Sequence, residues 1–291
     1  MDAFSCRHPA VNFLFFLGAL GFGMVIQHPA YVVAGVVAAL SYCLLLSGRA
    51  GRRLALSLLP FVVLVAGVNP LFNTAGQTVL FAPFGRPYTL EALCYGLTLA
   101  GMFYGMLLWF SCFNQVMTGD KFTSLFGNLM PSLSLLLVMV LRMVPGLFRK
   151  GRQITGARSA VGKAPTEAAA YSEKLQGGLL MLGCLTTWAL EGSLTTADSM
   201  RSRGYGTAKR TGFMVYRMDS RDWWLLAILL VSMGTVIASM AAGATAAAFT
   251  PVWRVAKLHP VFFAVYCIFL LIPTLLHIKE AVTWHILRSK I

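Results

Sequence analysis

The stretch Leu133-Ser-Leu-Leu-Leu-Val-Met-Val-Leu-Arg-Met-Val-Pro-Gly-Leu-Phe-Arg-Lys150 decides how this chain is folded. It is oily as far as Arg142 and turns basic after Pro145. A second stretch, Leu179–Leu194, is nearly as apolar. Suppose both crossed a bilayer. The segment between them, with Arg149, Lys150, Arg152, Arg158 and Lys163, would then face outward, against the rule that basic loops stay inside. Arg142 would also sit deep in hydrocarbon, at a cost of roughly 2.5–3.5 kcal/mol even on a lenient insertion scale. Helices lying at or below the inner interface avoid both penalties. The middle of the chain is therefore expected to form long, non-crossing amphipathic helices.

Composition supplies the solvent. The 291 residues are 57% hydrophobic and 12% charged, with a mean hydropathy of +0.71. A soluble domain carries about a quarter charged residues, so half that share points to lipid. The net charge of +14 could suggest nucleic acid, but the basic residues cluster between apolar runs, as on cytoplasmic membrane surfaces. The interleaving of aromatic and basic residues that RNA binders use is absent, so no nucleic-acid partner is expected. The six cysteines stand far apart with no CxxC pair, which argues against a metal or disulfide framework. The N-terminal MDAFSCRHPA lacks a basic region before a small-residue cleavage site, so the first apolar run reads as a retained span.

Spanning helices need about 17–25 mostly apolar residues. Val11–Ile26, Tyr31–Leu46, Leu54–Val68, Leu90–Val116, Trp223–Met240 and Pro260–Ile278 are the candidates, giving about six. His28-Pro29 marks a tight outer turn between the first two, and Asn69–Tyr88 reads as a short external hairpin around Phe84-Gly85. Arg49, Arg52 and Arg53 follow the second span, while Lys279, Arg288 and Lys290 follow the last. Both termini are then cytoplasmic, with Arg254 and Lys257 as mild violations outside. The expected fold is all-α and polytopic. Residues 1–117 hold four spans with a hairpin near 70–88, residues 118–221 form a cytoplasmic or interfacial module, and residues 222–291 hold two more spans.

Within the module, Glu191, Thr195, Asp198 and Ser202 share one helical face, and Leu175, Leu179, Leu182 and Ala189 line an apolar one. Gly162 and Pro165 should end the first helix, and Gly204 and Gly206 the second. Each helix is expected to finish in an exposed arginine.

A transport subunit must hold a motor or borrow one. Gly156-Ala-Arg-Ser-Ala-Val-Gly-Lys163 has five residues between its glycines and Ala164 where a magnesium-binding hydroxyl belongs, so it fails as a P-loop. The histidines His8, His28, His259, His277 and His285 show no metal-ligand spacing. Acids are missing from the six spans apart from Glu91 at the entrance of the fourth, where a helix N-terminus favours it, and Asp120 stands alone; proton pathways and paired-carboxylate catalysis both lack their groups. No cofactor and no enzymatic activity are expected. Gly101-Met-Phe-Tyr-Gly105 is a GxxxG that can bring helices close.

One ordered set of motifs is specific. Ala197-Asp-Ser-Met-Arg-Ser-Arg-Gly-Tyr-Gly206 with Arg210-Thr211, together with Asn69-Pro-Leu-Phe72, Thr118-Gly-Asp-Lys-Phe122 and Leu141-Arg-Met-Val-Pro145, resembles the transmembrane T component of energy-coupling factor transporters. Ala157-Arg158-Ser159 resembles that family's first Ala-Arg-X motif and Ser202-Arg203-Gly204 its second. The resemblance implies a multi-pass subunit in a prokaryotic plasma membrane, part of a vitamin or metal-ion importer. Its implied partners are two ABC-type ATPases, which would bind the ATP and magnesium, and a small hydrophobic substrate-binding S component. Ala157, Arg158, Ser159, Ser202, Arg203 and Gly204 would dock on the ATPases. The apolar faces near Leu133–Val144 and Leu179–Leu190 would carry the S component. Competing readings are a dedicated cobalt or nickel permease subunit of the same class, and a membrane-embedded enzyme acting on a lipid.

Overall fold

The computed structural model describes residues 4–73, 76, 78–81, 88–126, 131–162, 171–207, 216–248 and 254–288. These form helices α1 (Pro9–Val25), α2 (Pro29–Ser47), α3 (Arg49–Phe72), α4 (Leu90–Val116), α5 (Gly119–Phe126), α6 (Pro131–Ala160), α7 (Tyr171–Ser202), α8 (Ser220–Ala241) and α9 (Pro260–Arg288). Two short antiparallel ladders join them, β1 (Val79–Phe81) with β2 (Tyr88–Thr89), and β3 (Ala247–Ala248) with β4 (Arg254–Val255). Helices α2, α3, α4, α8 and α9 are long and apolar enough to cross a membrane, while α1 is apolar but only 17 residues long. The protein is a multi-pass membrane protein. Helices α6 and α7 are longer, at 30 and 32 residues.

Local chemistry sets the helix starts. The sequence His-Pro-Ala occurs twice, and each time it opens a helix. His8 Nδ1 accepts from the Ala10 amide at 3.2 Å and His28 Nδ1 from Ala30 at 3.3 Å. The proline that follows takes the first helical position, where its missing N–H costs nothing. His28 Nε2 also lies 3.2 Å from the Ala256 carbonyl. Thr89 caps α4 through the Ala92 amide, and Asp219 with Asp222 forms a capping box at α8.

The chain divides into two compact units, residues 1–122 with 216–291, and residues 123–215. In the first, α4 packs against α1, α2 and α3, while α9 packs against α2 and α8. The centre is aromatic. Phe15 meets Phe4, Phe16 and Trp109 edge-on at centroid distances of 5.2, 5.3 and 5.5 Å. Phe269 of α9 lies 5.3 Å from Phe15 and 5.7 Å from Phe22. In lipid, apolar area alone does not hold helices together; close packing does. The GxxxG supplies it. A Cβ on Gly101 would lie 2.9 Å from Val32 Cγ1, and one on Gly105 would lie 3.5 Å from Val36 Cγ2.

Polar ties close the ends. Buried Lys121 donates to the Val116 carbonyl at 2.8 Å, to Ser5 Oγ at 2.9 Å and to the Ser5 carbonyl. A cation there also suits the C-terminus of α4. The ion pair Arg7–Asp222, at 3.5 Å, joins the N-terminal segment to α8. Outward faces keep large apolar side chains such as Val63, Leu64, Trp224 and Val231, as lipid contact requires.

The structure shifts several expected boundaries. Arg49, Arg52 and Arg53 lie in the first turns of α3 instead of a loop. Helix α9 runs on to Arg288. The β3–β4 ladder was unforeseen, because its two-residue strands carry no periodic signal. Phe84-Gly85, Lys163, Pro165 and Arg210-Thr211 lie outside the described residues.

Candidate partner-docking module

The 123–215 unit is built on α6 and α7. They run antiparallel and touch along one line. Pro145's neighbour Gly146 faces Trp188, with 3.6 Å between a Cβ position and Cη2. Gly151, which is buried, faces Met181 and Leu185. Thr155 Oγ1 lies 3.9 Å from Met181 Sδ. Nearest the end of α6, Arg158 Nη1 donates to the Gly177 carbonyl at 2.7 Å. Gly151 and Gly177 are the buried points of the pair. Each glycine leaves room for a side chain of the other helix, Met181 at Gly151 and Arg158 at Gly177.

The tips of the two helices differ. At the end of α7, the Tyr205 amide donates to Met200 O at 3.0 Å and the Gly204 amide to Arg201 O at 3.0 Å. This is a Schellman cap with Gly204 at φ 75°. Only glycine takes that left-handed backbone without strain. Arg203 is thereby the last residue before the reversal, and it is exposed with no side-chain partner among the described residues. Ser202 and Gly204 are exposed beside it.

Helix α6 ends at Gly162, φ 72°, whose amide donates to Ser159 O at 3.0 Å. Arg158 lies a full turn before that glycine. Ala157 and Ser159 are exposed, but Arg158 is half-buried, because its guanidinium folds back onto α7. The expectation of two equally exposed arginine tips is corrected here. Within the stretch that fails as a P-loop, Gly156–Ala160 are helical turns.

The faces of α7 also separate as drawn from sequence, with one addition. Glu191, Thr195, Asp198 and Ser202 are exposed on the polar side. Leu175, Leu179 and Leu182 are 53–60% exposed although apolar. Sequence reasoning missed the third side, Gly177, Met181, Leu185 and Trp188, which meets α6. Its signal was the i, i+4, i+8, i+11 spacing of small and flexible residues. Beside it runs an open groove of about 850 Å³, lined by Leu179, Leu180, Gly183, Cys184, Thr187 and Trp188 among others. On the opposite helix, Leu136, Val138, Val140, Leu141 and Val144 are likewise exposed.

Residues 2–213 match the family described as CbiQ, cobalt transport protein. The chain belongs to that family. It is the membrane component of a transporter, of the energy-coupling T type that its motifs resemble. No curated protein matches the chain. The family match takes in α1 to α7 and stops before α8 and α9. Two of the family-like motifs have evident structural work. Lys121 of Thr118–Phe122 ties α4 to the N-terminal segment. Asn69 of Asn69–Phe72 packs at Gly96, where an added Cβ would come within 2.9 Å of both the Ala66 carbonyl and Asn69 Cβ.

Proposed function

We propose that the chain is the T subunit of an ATP-driven energy-coupling factor importer, docking two ABC-type ATPases through Arg158 and Arg203. The observation that carries this reading is Arg203, held at the exposed end of α7 by the Gly204 cap and left without a partner among the described residues. A planar guanidinium can bond a carboxylate in an ATPase groove at two points. Ala157, Ser159 and Ser202 flank the arginines with small side chains that a groove can admit. The exposed apolar faces of α6 and α7 would carry a small, hydrophobic S component, which selects the cargo. Nucleotide-driven movement of the ATPases would tilt the docked helices, and the oily faces would pass that tilt to the S component. ATP and magnesium belong to the partners. Both termini would lie in the cytoplasm of a prokaryotic cell, with the 123–215 unit on that side of the plasma membrane. The family's description makes cobalt the first cargo to test, against nickel and vitamins.

The test is affinity purification of the chain in mild detergent with its partners co-expressed. Two nucleotide-binding proteins and one small hydrophobic protein should come with it. Arg203→Ala should weaken ATPase binding by about a hundred- to a few thousandfold, the effect of removing one partner of a buried charge pair worth roughly 3–5 kcal/mol. Transport should stop while the membrane part stays folded. Normal uptake in the Arg158→Ala, Arg203→Ala double variant would sink the proposal.

A further inference from the structure

The two docking arginines are not equivalent, and the difference lies within α6 and α7 themselves. Arg203 is exposed and unpaired among the described residues. Arg158 already has an acceptor, the Gly177 carbonyl at 2.7 Å. We infer that this bond is a clasp: it holds the α6–α7 crossing closed, and an ATPase must take Arg158 off Gly177 to dock on α6. The inference rests on the docking role proposed above and adds its regulation.

The geometry suits a clasp that opens. A carbonyl has two lone pairs, so Gly177 can serve the α7 ladder and Arg158 at once. Releasing Arg158 therefore breaks no helix. The tight point of the crossing is Gly151, where an added Cβ would lie 2.8 Å from Met181 Cε. Arg158 lies about two turns nearer the tip. A pull at the tip thus acts at a distance from a glycine–methionine contact that can serve as a pivot. Between them Thr155 reaches Met181 Sδ, 3.9 Å away, and the unbranched Met181 side chain can follow a change of crossing angle. The bond is also well matched in strength. A charged donor on a neutral carbonyl, half-open to solvent, shifts an equilibrium by about tenfold. A carboxylate in a partner groove outcompetes it, because it adds an opposite charge and accepts from the planar guanidinium in two places. A clasp of that size delays docking without preventing it. Arg203, which has nothing to release, engages first; Arg158 follows and frees α6 to move against α7.

Pulsed electron resonance on the full chain in lipid nanodiscs tests this. Nitroxides are placed at the exposed positions Gly156, where an added side chain meets open space, and Gln176 through noncanonical residues, leaving the native cysteines untouched. The unmodified chain should give one short, narrow distance. Arg158→Ala should raise the population of longer distances about tenfold, and Arg158→Lys, which keeps a charged donor, should fall between. Arg152→Ala removes a neighbouring exposed charge and should leave the distribution as it was. Adding the ATPase pair with a non-hydrolysable ATP analogue should move the unmodified chain to the longer distances. An unchanged distribution in Arg158→Ala, or equal opening in Arg152→Ala, overturns the clasp. ATPase binding with the short distance retained overturns release by docking. If the ATPases bind none of these forms, the docking role and the release both fall, while opening in isolated Arg158→Ala still supports the intrachain clasp.

Discussion

In the 1–122/216–291 unit, helices meet through rings. Trp109 of α4 touches Phe15, Phe16 and Tyr42 from two other elements, at centroid distances of 5.5, 6.2 and 6.0 Å. In the 123–215 unit, α6 and α7 meet where glycines of α6 admit side chains of α7, Gly146 against Trp188 and Gly151 against Met181, with one guanidinium bond beyond. Interlocked rings resist sliding, because each ring fills a space bounded by several helices. A helix pair joined along one narrow line has fewer such spaces, and it leaves large apolar side chains such as Leu136, Leu179 and Leu182 exposed.

That contrast can be broken from the packed side first. Trp109→Ala should cost about 3–5 kcal/mol, the range for emptying a buried aromatic site, read as lost resistance to unfolding in a detergent titration. A cost near zero would mean that the rings merely fill space. Lys121→Met leaves the Val116 and Ser5 carbonyls without their donor, and about 1–3 kcal/mol should be lost on the same assay. Gly101→Leu drives a side chain into Val32, with overpacking costing roughly 1–3 kcal/mol and α2 displaced from α4 in a cross-linking map. The smallest stability effect belongs to the open unit. Leu179→Ala with Leu182→Ala removes side chains that are 60% exposed, so stability should stay within about 0.5 kcal/mol. Co-purification of the S component should fall nonetheless; if stability falls instead, this face is internal packing and the contrast fails.

Much of this was written in the sequence. Proline after histidine at positions 8 and 28 fixes two helix starts, because the imidazole caps and the ring presets the backbone. Arg142 and the basic run to Lys163 are the sequence's grounds for expecting a non-crossing helix over residues 131–160. Gly204 announces the end of α7 and the exposure of Arg203. Other features had no local signal. Lys121 reads as a loop cation, but its acceptor Ser5 lies 116 residues away. The β3–β4 ladder depends on two residues per strand meeting across a turn.

Arg158 marks the dividing line most clearly. Sequence alone determines a basic residue in the last turns of a helix, long enough to reach out. It also determines the lipid solvent, the apolar runs and the glycine stops, since each follows from side-chain chemistry within a few residues. Whether that arginine faces a partner or its own chain depends on where α7 passes. Only the tertiary structure decides that, because the acceptor is a backbone carbonyl, and every residue in the sequence has one.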